Sequence, residues 1–169
     1  MSRALSSSAL RAMFAEETGD YPILLITLSH ETLSDPIRVS SDPTVRLSET
    51  VDDVIYGTVS RGVDYPFLPF QITLPGDFED SAPRSQISID NVSRELVAAI
   101  RSIYSPPQVT MELVMASSVD FVEATFPDFD LSDIDGDSMV ISGTLSVDLL
   151  VSEPFPSGVF TPGQFPGMF

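Results

Sequence analysis

The sequence predicts a mainly β domain, a β-sandwich or split barrel, with one flanking helix and a short N-terminal helix. Three observations predict it. Apolar, β-branched and aromatic runs of strand length recur along most of the 169 residues. Most connections between them are too short for the crossovers of a parallel sheet, which favours antiparallel pairing. Only two stretches carry apolar residues at helical spacing.

The first helix is signalled by Ser6, Ser7 and Ser8, whose hydroxyls suit an N-cap, followed by strong helix formers over 9–17. Leu10, Met13 and Phe14 fall at i, i+3, i+4 spacing, so this stripe is expected to dock the helix, with Gly19 as its stop. Residues 21–29 (YPILLITLS) read as a buried strand. Residues 36–39 and 45–47 are short strand candidates around the turn cluster Ser-Ser-Asp-Pro. Two further candidates are 51–59 and 63–74, the second broken by Pro66 and Pro69, and residues 76–83 read as a loop. In 86–90, alternation sets Ile87 and Ile89 on one face.

The second helix begins at a cap on Asp90 or Asn91. Leu96, Val97, Ile100, Ile103 and Tyr104 form its stripe, and Pro106 and Pro107 end it. Residues 109–116 form a strand with Val109, Met111, Leu113 and Met115 on one face. Residues 120–126 form another, 127–137 an acidic loop, and 138–151 the last long strand, with Gly143 at a bulge or bend. No internal repeat is present. The last segment, 153–169, holds four Phe, four Pro and three Gly. Pro and Gly bar a helix or a central strand, while four large rings seek burial, so an extended strap docked in a groove is expected. The organisation is one β-rich domain over 1–152 and a C-terminal strap over 153–169.

Composition closes several classes of chemistry. With no cysteine, disulfides, thiolate metal sites and cysteine nucleophiles are excluded. All basic residues are arginine, and against 25 acids they leave a formal charge of −17. A basic footprint for nucleic acid is absent, and such an excess repels phosphate backbones. The N-terminal residues lack an apolar core of secretory length, and no apolar run approaches the roughly 18 residues of a membrane helix. Folding in a cytoplasm is the expectation.

The acidic stretch 128–137 invites a calcium reading, but the EF-hand template would put Leu131 at its first position and Ser142 at its twelfth, so a solvated turn is preferred. His30 is the single histidine and no Gly-x-Ser-x-Gly elbow exists, so His30 is read as a strand-end cap rather than a general base. Asp77, Glu79 and Asp80 show no feature that would split their acidities for glycoside hydrolysis. No catalytic residue, cofactor or metal site is expected. Arg94 and Arg101 lie seven apart, hence on one face of the second helix, and are expected to pair with acids of this chain or of a neighbouring subunit.

Two blocks carry a family resemblance. One is 89–103 (IDNVSRELVAAIRSI) with 106–116 (PPQVTMELVMA); the other is the ending, Glu-Pro-Phe-Pro from Glu153 and Phe-Pro-Gly-Met-Phe from Phe165. With 9–18 (ALRAMFAEET) and Leu-Pro-Gly-Asp from Leu74, they resemble a phage and prophage minor tail protein family of the unknown-function-domain type. That family is similar to the lambda-type M minor tail protein and to siphophage distal tail proteins. The likeness covers nearly the whole chain and is weakest over 40–66.

The resemblance implies a structural virion protein with a tail-tube-like fold, found at the tail tip after assembly in the host cytoplasm. It implies a ring, typically sixfold, that joins the tail tube and tape measure proteins to the hub and fibre proteins. DNA would pass through the lumen without specific binding, and no membrane is involved. On this reading Phe155, Phe160, Phe165 and Phe169, with Arg94 and Arg101, belong to subunit interfaces. Six copies at −17 would set about a hundred negative charges around the channel, and Asp128, Asp130, Asp133, Asp135 and Asp137 are expected to face it. The alternatives are a connector or tail terminator, or a receptor- or glycan-binding module. A glycan module would need an exposed aromatic platform, for which Tyr56, Tyr65, Phe67 and Phe70 are the candidates.

Overall fold

The structure is a computed structural model and describes residues 5–50, 54–73, 84–90, 103, 105–136 and 140–146. It contains a short helix α1 (Ser7–Phe14) and ten strands. These are β1 (Pro22–Ser29), β2 (Ile37–Ser40), β3 (Val45–Glu49), β4 (Val54–Ser60) and β5 (Val63–Pro66). They continue with β6 (Phe70–Ile72), β7 (Arg84–Asp90), β8 (Gln108–Met115), β9 (Ser118–Gly136) and β10 (Val140–Ser146). Every pair is antiparallel, as the short connections predict.

Seven strands form one curled sheet, a half-barrel, in the order β2-β1-β8-β9-β10-β7-β6. β3, β4 and β5 form a second, smaller sheet. Residues 67–69, between β5 and β6, join the parts. The Phe67 N–H donates to the Tyr56 carbonyl, the Leu68 N–H to the Ser40 carbonyl, and the Pro69 carbonyl accepts from the Asp90 N–H. One short connection therefore touches the small sheet, the β2 edge and β7 in turn, drawing the half-barrel's two edges towards each other.

β1 explains why its run is apolar throughout. It is buried on both faces, so alternation serves two cores instead of one core and solvent. Ile26 and Leu28 enter the concave core with Val39, Met111, Phe129, Leu131 and Leu145. Ile23 and Leu25 face the other way, against Val114 and Tyr65 of the small sheet. β8 follows the same rule. Val109, Met111, Leu113 and Met115 pair with Leu28, Ile26, Leu24 and Pro22 and share a face, as the spacing predicts. The opposite face is no solvent face: Val114 is fully buried there.

β9 corrects two expectations. The strand expected over 120–126 and the acidic loop expected over 127–137 are one 19-residue strand as far as Gly136, while Asp137 lies outside the described residues. β9 pairs with β8 over its first part and with β10 over its last, so it is shared by the two halves of the curl. Its register slips three times against β8 and once against β10, and bulges of this kind bend a strand. The slip against β10 lies between Ser142 and Thr144, at Gly143, where a bulge was expected. The extra residue is on β9, and Asp133 there adopts a left-handed φ of 51°. Asp tolerates that conformation better than most residues, because its short polar side chain bonds locally.

α1 departs from expectation in length and in packing. Ser6 caps it as predicted, its hydroxyl accepting from the Ala9 N–H at 3.1 Å. It ends before Ala15, which is extended, so Gly19 is not its stop. The predicted stripe does not dock it. Ala9 is fully buried, whereas Leu10 is 42%, Met13 43% and Phe14 84% exposed. The anchor is polar: Ser6 gives its N–H and its hydroxyl to the Glu123 carboxylate on β9, at 2.7 and 2.6 Å.

The second helix, the 76–83 loop, the end of the last strand beyond Ser146, and the strap with Phe155, Phe160, Phe165 and Phe169 lie outside the described residues, as do Arg94, Arg101 and the Asp77, Glu79 and Asp80 group.

Candidate interaction surface

The acids of β9 stand on a polar face. Leu131 turns inward opposite Leu145, so Asp130 and Ser132 turn outward opposite Ser146 and Thr144, and Asp135 lies opposite the exposed Ser142. Next to them β7 pairs Gln86 with Thr144 and Ser88 with Ser142. The result is a shallow groove of about 530 Å³ lined by Gln71, Thr73, Gln86, Ser88, Asp133 and Thr144 among others. Its described walls are hydroxyls and amides with Ile72, Ile87 and an acidic rim at Asp133, suited to hydrogen bonding. Asp130, Asp133 and Asp135 do not converge. Among the described residues no group of three or more His, Asp or Glu could hold a metal ion.

His30 follows the end of β1, where a strand cap was expected. Its Nδ1 accepts from the Thr32 N–H at 3.1 Å and lies 2.7 Å from the Thr32 hydroxyl. The other nitrogen, Nε2, is 2.7 Å from the Ser105 hydroxyl. Because Nδ1 accepts, the neutral ring carries its proton on Nε2 and donates it to Ser105. A general base needs the reverse, a free lone pair facing the hydroxyl. The pair is a strut tying β1 to the chain entering β8, and the sequence alone did not bring Ser105 into view.

Another strut joins the two sheets. Arg61 and Gly62, both at positive φ, form the two-residue turn between β4 and β5. That conformation is the hairpin turn usually supplied by Asn-Gly. Arg61 is held there by a two-pronged ion pair with Glu112, and its N–H donates to the Asp120 carboxylate. The bond to Glu112 raises the Arg61 pKa, against a smaller opposing effect of burial. A raised pKa means that this contribution to stability is complete below the ordinary arginine range. It is lost only as pH rises through the raised value, so the guanidinium side of the strut stays charged at all ordinary pH.

The aromatic platform required by a glycan-binding module is not assembled. Tyr65 is 5% exposed and serves the second core, Phe67 and Phe70 are half-buried, and only Tyr56 of the four is exposed.

The molecule is thus a β-rich domain with a polar, acidic face on β9 and, among the described residues, no group of three or more His, Asp or Glu that could hold a metal ion. The chain belongs to the family described as a domain of unknown function (DUF1833), whose model matches residues 9–160. No curated protein matches the chain.

Proposed function

We propose that the protein is a structural subunit of a siphophage-type tail, forming a ring at the tail tip between the tail tube with its tape measure and the hub and fibre proteins. The observation that carries this reading is the pairing of a β-rich domain, with two apolar clusters among its described residues, with an aromatic ending. Both apolar clusters among the described residues are built before Ser146. The four Phe of 153–169 are large apolar rings in a segment whose Pro and Gly bar regular structure, and swapped arms of this kind join subunits over large areas at low cost. Two features support it further. The curled sheet packed on a second sheet is the layered architecture expected of a tube-like subunit. The charge of −17 and the polar face of β9 suit a channel that must not hold DNA.

In this reading the 153–169 arm seats Phe155, Phe160, Phe165 and Phe169 on a neighbour, and Asp130, Asp133 and Asp135 line the channel. Truncation after Glu153 is expected to leave a monomer with unchanged circular dichroism and melting temperature that assembles neither rings nor tails. Electron microscopy of particles made with the truncated chain is the check, and complete tails would sink the proposal. A map of the assembly with the β9 polar face on the outer rim would remove the channel role of the three aspartates.

A further inference from the structure

The small sheet is joined to the half-barrel at one end and clasped to it at the other. Its chain connections, 41–44 from β2 and 67–69 to β6, lie side by side, since Ser40 bridges Phe67 and the Ser40 carbonyl accepts from the Leu68 N–H. The Arg61–Gly62 turn is at the far end of the β4–β5 hairpin, beyond the Ser60–Val63 pair, about 13 Å of strand from Phe67. The clasp there is ionic. Arg61 gives its main-chain N–H to the Asp120 carboxylate on β9 and both guanidinium prongs to the Glu112 carboxylate on β8. Its φ of 53° is strained for a residue other than glycine, and such strain persists where the surrounding contacts over-determine it.

The seam between clasp and connections is polar. Five polar residues are buried among the described ones, and three of them, Ser40, Thr58 and Ser60, lie along it. The Ser40 and Thr58 hydroxyls share a hydrogen bond of 2.8 Å, and Ser60 donates to the Val119 carbonyl at 2.6 Å. Such groups exchange one partner for water at modest net cost when they part. The apolar contribution from the small sheet is thin. Of the buried members of the second cluster only Tyr65 belongs to it, the others being Ile23, Leu25 and Val114 of the half-barrel. Polar seams between two parts of one chain permit relative motion.

We propose that β3, β4 and β5 form a hinged flap, latched shut by Arg61 on Glu112 and Asp120, that swings on the connections 41–44 and 67–69 with its own strand pairing intact. The closed flap covers Ile23, Leu25 and Val114, so the latch governs whether that apolar face of β1 and β8 meets solvent. Salt opens it, because the Arg61 and Glu112 side chains are 41% and 16% exposed and their attraction is screened. This device is independent of the tail reading.

The chain has no cysteine, so one introduced thiol is a unique probe. Ser60→Cys places it in the buried seam, and Val109→Cys places it in the concave core as a control for unfolding of the whole domain. Labelling by Ellman's reagent then follows the opening of each region. Raising sodium chloride from about 0.05 to about 1 M is expected to speed labelling of Ser60→Cys about tenfold. Labelling of Val109→Cys should not speed up, since salt also relieves the self-repulsion of a chain at −17. Adding Glu112→Gln to Ser60→Cys should give the fast rate already at low salt and remove the salt dependence. Amide exchange along the β4–β5 ladder should stay unchanged in every case. Labelling of Ser60→Cys that ignores both salt and Glu112→Gln refutes the latch. Labelling that rises equally at both probes, or together with exchange of the β4–β5 amides, shows unfolding in place of a swinging flap and overturns the proposal.

Discussion

Gly57→Val is expected to dissolve the three-stranded sheet and leave the half-barrel standing. Gly57 sits in the middle of β4 between Val45 on β3 and Pro66 on β5. A Cβ there would run into the Tyr65 carbonyl oxygen and come within 2.8 Å of Leu47 Cδ1 and 2.9 Å of Pro66 Cα. Leu47 can turn away, being the end of a flexible side chain. The other two contacts are backbone of the paired strand, and they yield only if β4 and β5 separate. Overpacking of this kind costs about 3 kcal/mol, at the upper end of the usual range, because the obstruction is main chain. Separation also withdraws Tyr65 from its cluster with Ile23, Leu25 and Val114, and breaks the 2.8 Å bond between the buried hydroxyls of Ser40 and Thr58. Hydrogen exchange should lose protection over 54–66 and keep it over β1 and β8. The melting temperature should fall by about 6–12 °C for a chain of this size. A variant that melts within about 2 °C of the parent would show that the strands yield more easily than the contacts imply.

The strands were legible where alternation or an apolar run had a single cause. β1, β7 and β8 were readable because burial writes itself into residue type at period two. β9 was misread for a physical reason. Its second half keeps Phe129 and Leu131 inward but sets aspartates on the outward positions, and Asp with Gly is also the vocabulary of turns. Acidic alternation on a half-exposed strand and an acidic loop share a composition, and only the pairing with β10 separates them. The α1 stripe was read correctly as a stripe and wrongly as a docked one. Periodicity reports that a helix has an apolar face but is silent on whether that face meets its own chain or another. The struts were not readable at all. Nothing near Arg61 announces Glu112, and nothing near His30 announces Ser105, since each pair is brought together by folding alone. The Arg-Gly turn escaped because the usual signal for that conformation is Asn-Gly.

Leu145→Ala is expected to cost about 4 kcal/mol and to destabilise the whole domain. Leu145 is fully buried on β10, opposite Leu131, in the concave core with Met111 and Phe129. Leu→Ala changes in cores cost about 2–5 kcal/mol, and the position within that range depends on how far the walls collapse. Here they cannot collapse far. The core already keeps an apolar cavity of about 30 Å³ lined by Leu145, Ile26, Val109 and Leu131, which the hydrogen-bonded strands around it have not closed. The space vacated by the leucine would join that cavity. Urea unfolding should show a lower midpoint with an unchanged slope, the mark of lost stability without a change in the surface exposed. The contrast with Gly57→Val tests how the fold is built. The small sheet rests on β1, β8 and β9 through Tyr65, Ser60 and Arg61, so loosening the half-barrel must loosen the small sheet too. Leu145→Ala should therefore lower hydrogen-exchange protection in both sheets by the same amount, whereas Gly57→Val lowers it in one. Equal protection of the small sheet in Leu145→Ala and the parent would mean that the two sheets fold independently.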